Sequence, residues 1–304
     1  ESGWAHDLVA ERALIRERSP KVDAISDEDA RVARDPLARS ARIPAVAFDV
    51  ARKAVAADTP VLFSVPRRGY IPSLACARCR THVRCRACHG PMQMSADQKL
   101  TCRWCGRVEL SFRCVECGGT NVRALTTGAR RTAEELGRAF AGVPVLTSGG
   151  SSIVDHIDDG ARVVVSTPGA EPVAERGYGA AVVLDTWAQL DRFDLRVDEN
   201  AVRRWMSVGA LIRPRGDGGA MVIVADAALT PVQAVIRWDP VGFAAHELAN
   251  RVELGFPPAV TMASIDGDTA SVNAFTDLIE LPEGADVLGP VPLPAGVRPP
   301  AAVS

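Results

Sequence analysis

The chain has 304 residues, is 47% hydrophobic and 24% charged, and carries a formal net charge of -2. That length holds two or three domains with buried cores, and that balance excludes a disordered or fibrous chain. A charge near zero excludes a global pull toward nucleic acid, so any such contact has to come from a local basic patch.

The first 45 residues are charged and linker-like, and are read as a linker or the end of a preceding lobe. "AVAFDVARKAVAADTPVLFSVPRRGYIP" (45–72) predicts an amphipathic helix, the strand "VLFSV" and a basic turn. After a cysteine-rich stretch, "VRALTT" predicts a strand and "GARRTAEELGRAF" a helix. "VPVLTS", "ARVVVSTPG" and "GAAVVLDT" are Val-rich strands, "DENAVRRWMSVGALI" is helical, and "GAMVIVAD" is a last strand. Short apolar strands alternating with helices predict an α/β fold whose parallel sheet is covered on both faces. From about residue 226 the texture changes: "TPVQAVIRWDPVGFAAHELANRVELGFPP" is mostly helical. "AVTMASIDG", "TASVNAFTDLIE" and "ADVLGPVPL" then suggest a small α+β domain.

All eight cysteines fall within residues 76–117, in four Cys-x-x-Cys pairs. Two residues between cysteines let a tight turn aim both sulfurs at one metal ion. Eight thiolates fit two tetrahedral four-sulfur zinc sites, whereas a disulfide framework belongs to small secreted chains. The gap between the second and third pairs, "PMQMS", "ADQ", "KLT", reads as a short hairpin. It brings Cys85 and Cys88 against Cys102 and Cys105, which leaves Cys76, Cys79, Cys114 and Cys117 for the outer site. His82 and His89 are candidate substitute ligands, but the cysteines suffice without them, so both read as surface histidines. Residues 76–118 carry seven Arg and one Lys against three acids. Charge therefore nominates Arg78, Arg84 and Arg86 here, with Arg67 and Arg68 in the preceding turn, as DNA contacts. Trp104 is read either as a base-stacking platform or as packing over its own knuckle. Structural support alone is the plainer role for the metal.

A sheet with loops at its strand ends is a natural nucleotide site, whose phosphate-cradling loop reads G-x-x-x-x-G-K-[ST]. The three lysines are Lys21, Lys53 and Lys99, and none follows a glycine. There is no phosphate loop in this chain.

The stretch "LFSVPRRGYIPSLACARCRTHVRCRACHG" resembles the PriA family, the primosomal protein N′ of bacterial replication restart. In that family a strand and an "NRRG"-type turn run into four Cys-x-x-Cys pairs inserted in the second RecA-like helicase lobe. Arg67, Arg68, Gly69 and the eight cysteines fall on those positions, and the family's cysteine pairing is the nested one. The similarity runs from about residue 46 to about 293 and takes in "LDTWAQLDRFDLR", "LGFPP" and "VLGPVPLP". Asp185, Leu190, Asp194 and Arg196 also match, without an assigned catalytic role.

Two motor motifs depart from the family. "STPGAEPVAERG" stands where Gly-Thr-Gln-Met and Lys-Gly are expected, with Arg176-Gly177 on the latter. The last motif falls on Ser207 to Pro214, "SVGALIRP", where the family's two arginines land on Leu211 and Pro214. Arg213 and Arg215 are their nearest substitutes.

The resemblance implies a linker over 1–45, a helicase lobe over 46–75 and 119–225, a zinc insert over 76–118 and a C-terminal domain over 226–304. It implies a restart protein that binds branched DNA at stalled forks and recruits the replisome, with two zinc ions as cofactors; the two departures imply that it has no unwinding activity of its own. The alternatives are an active ATP-dependent 3′→5′ helicase and a zinc-ribbon protein-interaction module; ATP binding is left open. The implied partners are fork DNA, single-stranded DNA-binding protein and the proteins that load the replicative helicase. A cytoplasmic location, near the nucleoid, is expected, because no apolar run reaches the ~18–20 residues of a membrane span. The chain starts at Glu1 and not Met, so it is expected to be part of a longer protein.

Overall fold

The computed structural model describes residues 10–26, 43–66, 73–79, 81–95, 98–125, 129–190 and 194–290. Its centre is a six-stranded sheet in the order Lys21–Ile25, Ala220–Val224, Ala180–Val183, Val61–Ser64, Val163–Ser166, Val145–Ser148. Every adjacent pair is parallel. β-Branched side chains suit this pleated, enclosed surface, which is why these short runs are rich in valine.

Alternation along each strand divides the side chains between two cores. Leu62, Val164, Ala181 and Ile223 join Trp205 and Val235 from the helices Val197–Ala210 and Thr230–Arg237. Val61, Phe63, Val163, Val165 and Val182 join Ala47, Ala51 and Leu136 from the helices Ala45–Ala56 and Ala129–Ala139. Both faces are covered, as a parallel sheet requires. This is the α/β fold the sequence predicts.

Three segments behave differently from their sequence reading. Residues 1–45 read as linker, yet Lys21–Ile25 pairs with Ala220–Val224 as the edge of the sheet. "VRALTT" reads as a strand of the lobe, but Val122–Leu125 pairs antiparallel with Ser73–Cys76 and so forms the root of the insert. Helix Thr230–Arg237 lies beyond the change of texture at 226, yet it buries Pro231, Val232, Ala234 and Val235. In each case the deciding partner is distant in sequence, so local pattern does not reveal it.

The chain leaves the sheet after Val61–Ser64 and returns at helix Ala129–Ala139. Beyond the root, Met92–Met94, Leu100–Cys102 and Val108–Glu109 form a small antiparallel sheet, with Met92 opposite Cys102. This is the expected hairpin. Its buried cluster holds Leu74, Val83, Met92 and Leu100 beside Cys85 and Cys102.

The chain divides into two compact units, Glu1–Ala244 and Ala245–Ser304. Within the second, helix Thr269–Leu278 is capped by Asp268, whose side chain accepts a hydrogen bond from the Ser271 amide. "AVTMASIDG" forms no ladder among the described residues. A strand needs a partner edge to satisfy its backbone, and none is supplied there. No helix among the described residues is long and apolar enough to cross a membrane.

Phe63 is fully buried in a central strand. Phe63→Ala is expected to lower the unfolding free energy by roughly 3–5 kcal/mol, read as a lower urea midpoint at unchanged slope.

Candidate metal centre

The Cys-x-x-Cys pairs are built as turns. The amides of His89, Gly106 and Gly118 donate to the carbonyls of Cys85, Cys102 and Cys114 at 2.9, 3.0 and 3.0 Å. Each of those residues directly follows its second cysteine and has positive φ: 56° for His89, 69° for both glycines. Glycine reaches that region without a Cβ penalty; His89 does not. Inside the turns, the amides of Ala87 and Trp104 donate to the Cys85 and Cys102 sulfurs at 3.4 Å. Such donors favour the thiolate over the thiol.

The turns bring the sulfurs into two groups. Cys76, Cys79, Cys114 and Cys117 form one, and Cys85, Cys88, Cys102 and Cys105 the other, with all ligand atoms of a group within 4.8 Å of one another. The short separations are 3.5 Å for Cys76–Cys117 and Cys79–Cys114, 3.7 Å for Cys85–Cys105 and 3.4 Å for Cys88–Cys102. Sulfurs about 2.3 Å from a tetrahedral metal stand about 3.8 Å apart, whereas a disulfide brings them to about 2.05 Å. All eight cysteines are free. The donor set therefore fits a soft, four-coordinate metal ion in each group.

Proton affinities within each group are split. The Thr81 hydroxyl, 3.2 Å from the Cys79 sulfur, draws that thiol down to about 6. Burial works against ionisation at Cys85, but the Cys88 and Ala87 amides together with the Cys105 and Cys88 thiols outweigh it and bring the thiol to about 7. Burial pushes Cys102 up to about 12. At Cys117 the Gly119 amide favours the anion, yet the neighbouring thiols Cys79, Cys76 and Cys114 together with burial raise it to about 12. Four sulfurs this close cannot all ionise unless a cation stands among them.

Two glycines let other groups approach. A Cβ on Gly90 would meet the Trp104 ring at 2.8 Å and the Cys102 sulfur at 3.0 Å. One on Gly119 would meet the Cys76 sulfur at 3.2 Å. The Trp104 ring therefore lies against Gly90, just after the partner knuckle Cys85–Cys88, and it stays 41% exposed. Each glycine follows the second cysteine of its pair by two residues, a signal that could have been read from sequence.

Neither candidate histidine enters a sulfur group. His89 is spent on the left-handed turn, and the half-buried His82 ring packs on Trp187. Arg78 and Arg84 are exposed. Arg86 is tied inside the insert: its guanidinium donates to the Arg113 carbonyl at 3.4 Å and pairs with Glu109 at 3.5 Å. Arg67 and Arg68 lie outside the described residues.

At the amino-terminal end of the parallel strands, Leu211, Pro214 and the nearby arginines make contacts of another kind. Leu211 ends helix Val197–Ala210, and its carbonyl accepts the Tyr178 amide at 2.9 Å. The Pro214 carbonyl accepts the amides of Asp217 and Gly219. The nearby arginines are engaged as well. Arg213 Nε donates to the Arg176 and Gly177 carbonyls at 3.0 and 3.3 Å, and Arg176 pairs with Asp159. Arg215 donates to the Ser19 hydroxyl at 3.2 Å and to the Pro20 carbonyl at 3.3 Å. Its backbone amide also donates to the Ser19 carbonyl, so Arg215 clamps the chain just before the edge strand.

Arg215→Ala is expected to lower stability by about 1–3 kcal/mol, the range for buried groups losing a charged donor. Hydrogen exchange should quicken first over residues 19–25, and unchanged protection there would remove the clamp.

The Primosomal protein N C-terminal domain model matches residues 252–303. The chain is 55% identical over 302 residues to the probable replication restart protein PriA of Mycobacterium leprae, covering 99% of this chain and 46% of that protein. It is 54% identical over 308 residues to the corresponding Mycobacterium tuberculosis protein, covering 99% and 47%. The replication restart protein PriA of Thermotoga maritima is 27% identical over 259 residues, covering 76% and 34%. The chain thus spans about half the length of its mycobacterial relatives. It belongs to the family of PriA replication restart proteins.

Proposed function

We propose that this chain gives a replication restart protein a zinc-ordered module for recognising branched DNA, carried on a helicase-derived lobe that does not drive unwinding. The observation that carries the proposal is a combination: two four-sulfur groups, and a lobe edge whose arginines are spent on the lobe itself. Cys76, Cys79, Cys114 and Cys117 hold one zinc ion, and Cys85, Cys88, Cys102 and Cys105 the other. Zinc, when bound, neutralises the thiolates and supplies folding energy that so small a core lacks.

The exposed Arg78 and Arg84, with Arg67 and Arg68, make phosphate contacts; Arg86 stiffens the insert and contributes less. Recruitment of single-stranded DNA-binding protein and of the proteins that load the replicative helicase belongs to the same reading, in the cytoplasm near the nucleoid. The domain division of the sequence reading is kept within it with three changes: strand Lys21–Ile25 and helix Thr230–Arg237 join the lobe, and Val122–Leu125 joins the insert.

Phosphoryl transfer argues against catalysis. An arginine that reaches the γ-phosphate is worth roughly 10³–10⁵ in rate. Leu211 offers no donor and Pro214 not even an amide. Arg176, Arg213 and Arg215 would each have to break contacts with the lobe to serve.

Elemental analysis should find two zinc ions per chain, and one in Cys79→Ser or in Cys105→Ser. Zinc binds thiolates, so it depresses the thiol pKa values in the folded state. Its stabilisation is therefore present at neutral pH and lost as pH falls. Acid release of zinc, read by a chromogenic chelator, is expected as protons compete with the metal for the four thiolates of each group.

Fork-DNA affinity should fall when chelator removes the zinc. Arg78→Ala and Arg84→Ala should each flatten the log–log salt slope by roughly one. Full-length protein should show no DNA-stimulated ATP hydrolysis. Hydrolysis that Arg213→Ala abolishes would establish the helicase reading instead.

A further inference from the structure

The insert leaves the lobe through one two-stranded root, Ser73–Cys76 paired with Val122–Leu125. A two-stranded ribbon alone twists and bends readily. A second point of attachment is needed to fix the direction in which the insert's basic surface faces. The structure places one there: the His82 ring lies 5.2 Å from the Trp187 ring, inclined at 58°.

Both partners are presented by firmly held backbone. On the insert side, His82 lies between the first two knuckles and bridges to Ala75 of the root. The Cys76 amide donates to the Thr81 carbonyl at 2.9 Å, and the Val83 amide to the Leu74 carbonyl at 2.8 Å. On the lobe side, Trp187 follows strand Ala180–Val183 at the carboxyl end of the sheet. Asp185 before it has φ 52°, a conformation an L side chain adopts only when its surroundings hold it there. The Thr186 hydroxyl donates to the Val224 carbonyl at 2.6 Å, tying the turn to the neighbouring strand. Ala188 and Gln189, next along the four-residue helix, are buried. Trp187 itself is half-buried, with the insert over it.

We propose that Trp187 is the docking post of the metal-bearing insert on the lobe, and that His82 is the side chain that seats on it. An inclined imidazole on an indole is a favourable aromatic geometry, and the contact closes a loop that the root alone leaves open. Trp187 is thus a positioning residue. Its effect is to set the bearing of the insert relative to the sheet.

The test is a double-mutant cycle on the zinc-loaded chain, read by hydrogen exchange. His82→Ala and Trp187→Ala should each speed exchange over residues 81–84 by roughly three- to tenfold, and the double variant should go no further. Zinc content should remain at two ions per chain, and protection of the sheet strands should be unchanged. Trp187→Phe, which keeps a ring, should restore most of the lost protection. Additive effects of the two alanine variants would overturn the proposal. So would exchange over 81–84 that His82→Ala leaves unaltered. If Trp187→Ala unfolds the lobe, His82→Ala and Trp187→Phe still decide between docking and simple packing.

Discussion

Four sulfurs held within 4.8 Å of one another are a repulsive arrangement as thiolates and a poorly satisfied one as thiols. The split proton affinities express this conflict, with one thiol in each group held low and another near the top of its range. A doubly charged cation removes it. The insert depends on that removal, because its apolar cluster consists of a few side chains around two of the cysteines themselves. The same sulfurs that bind the metal serve as core residues.

The lobe beneath solves a different problem. Its parallel sheet is buried on both faces and needs no ion. Carbonyls and guanidinium groups at the amino-terminal end of its strands satisfy one another: Arg213 with Arg176 and Gly177, Arg215 with Ser19 and Pro20. A fold of this kind persists when its chemistry changes, since function resides in the groups at its edges. Leu211 gives its carbonyl to the distant Tyr178 amide and Pro214 gives its carbonyl to a local turn, backbone roles that other residue types could fill.

Much of this was legible in the sequence. Val-rich runs marked the sheet because burial on both faces leaves no polar side to interrupt them. The Cys-x-x-Cys spacing marked the turns because two intervening residues fix where the sulfurs point, and the polar "ADQ" between alternating arms marked the hairpin. What stayed hidden depends on remote partners. Lys21–Ile25 is a strand because Ala220–Val224 offers it an edge. Val122–Leu125 joins the insert and not the lobe because Ser73–Cys76 lies opposite. The engagement of Arg213 and Arg215, and the meeting of His82 with Trp187, arise only once the sheet has assembled. "AVTMASIDG" has the alternation of a strand but no neighbour among the described residues, and alternation alone does not make one.

The root of the insert sets Ser73 opposite Leu125, so the chain departs and comes back at adjacent points. A segment with such neighbouring ends can be excised or transplanted without pulling its host apart, because a short bridge spans the gap. The metal-bearing cassette and its host sheet are therefore separable in evolutionary terms. Either can change in sequence while the other is preserved, and the same cassette can be carried by a different host.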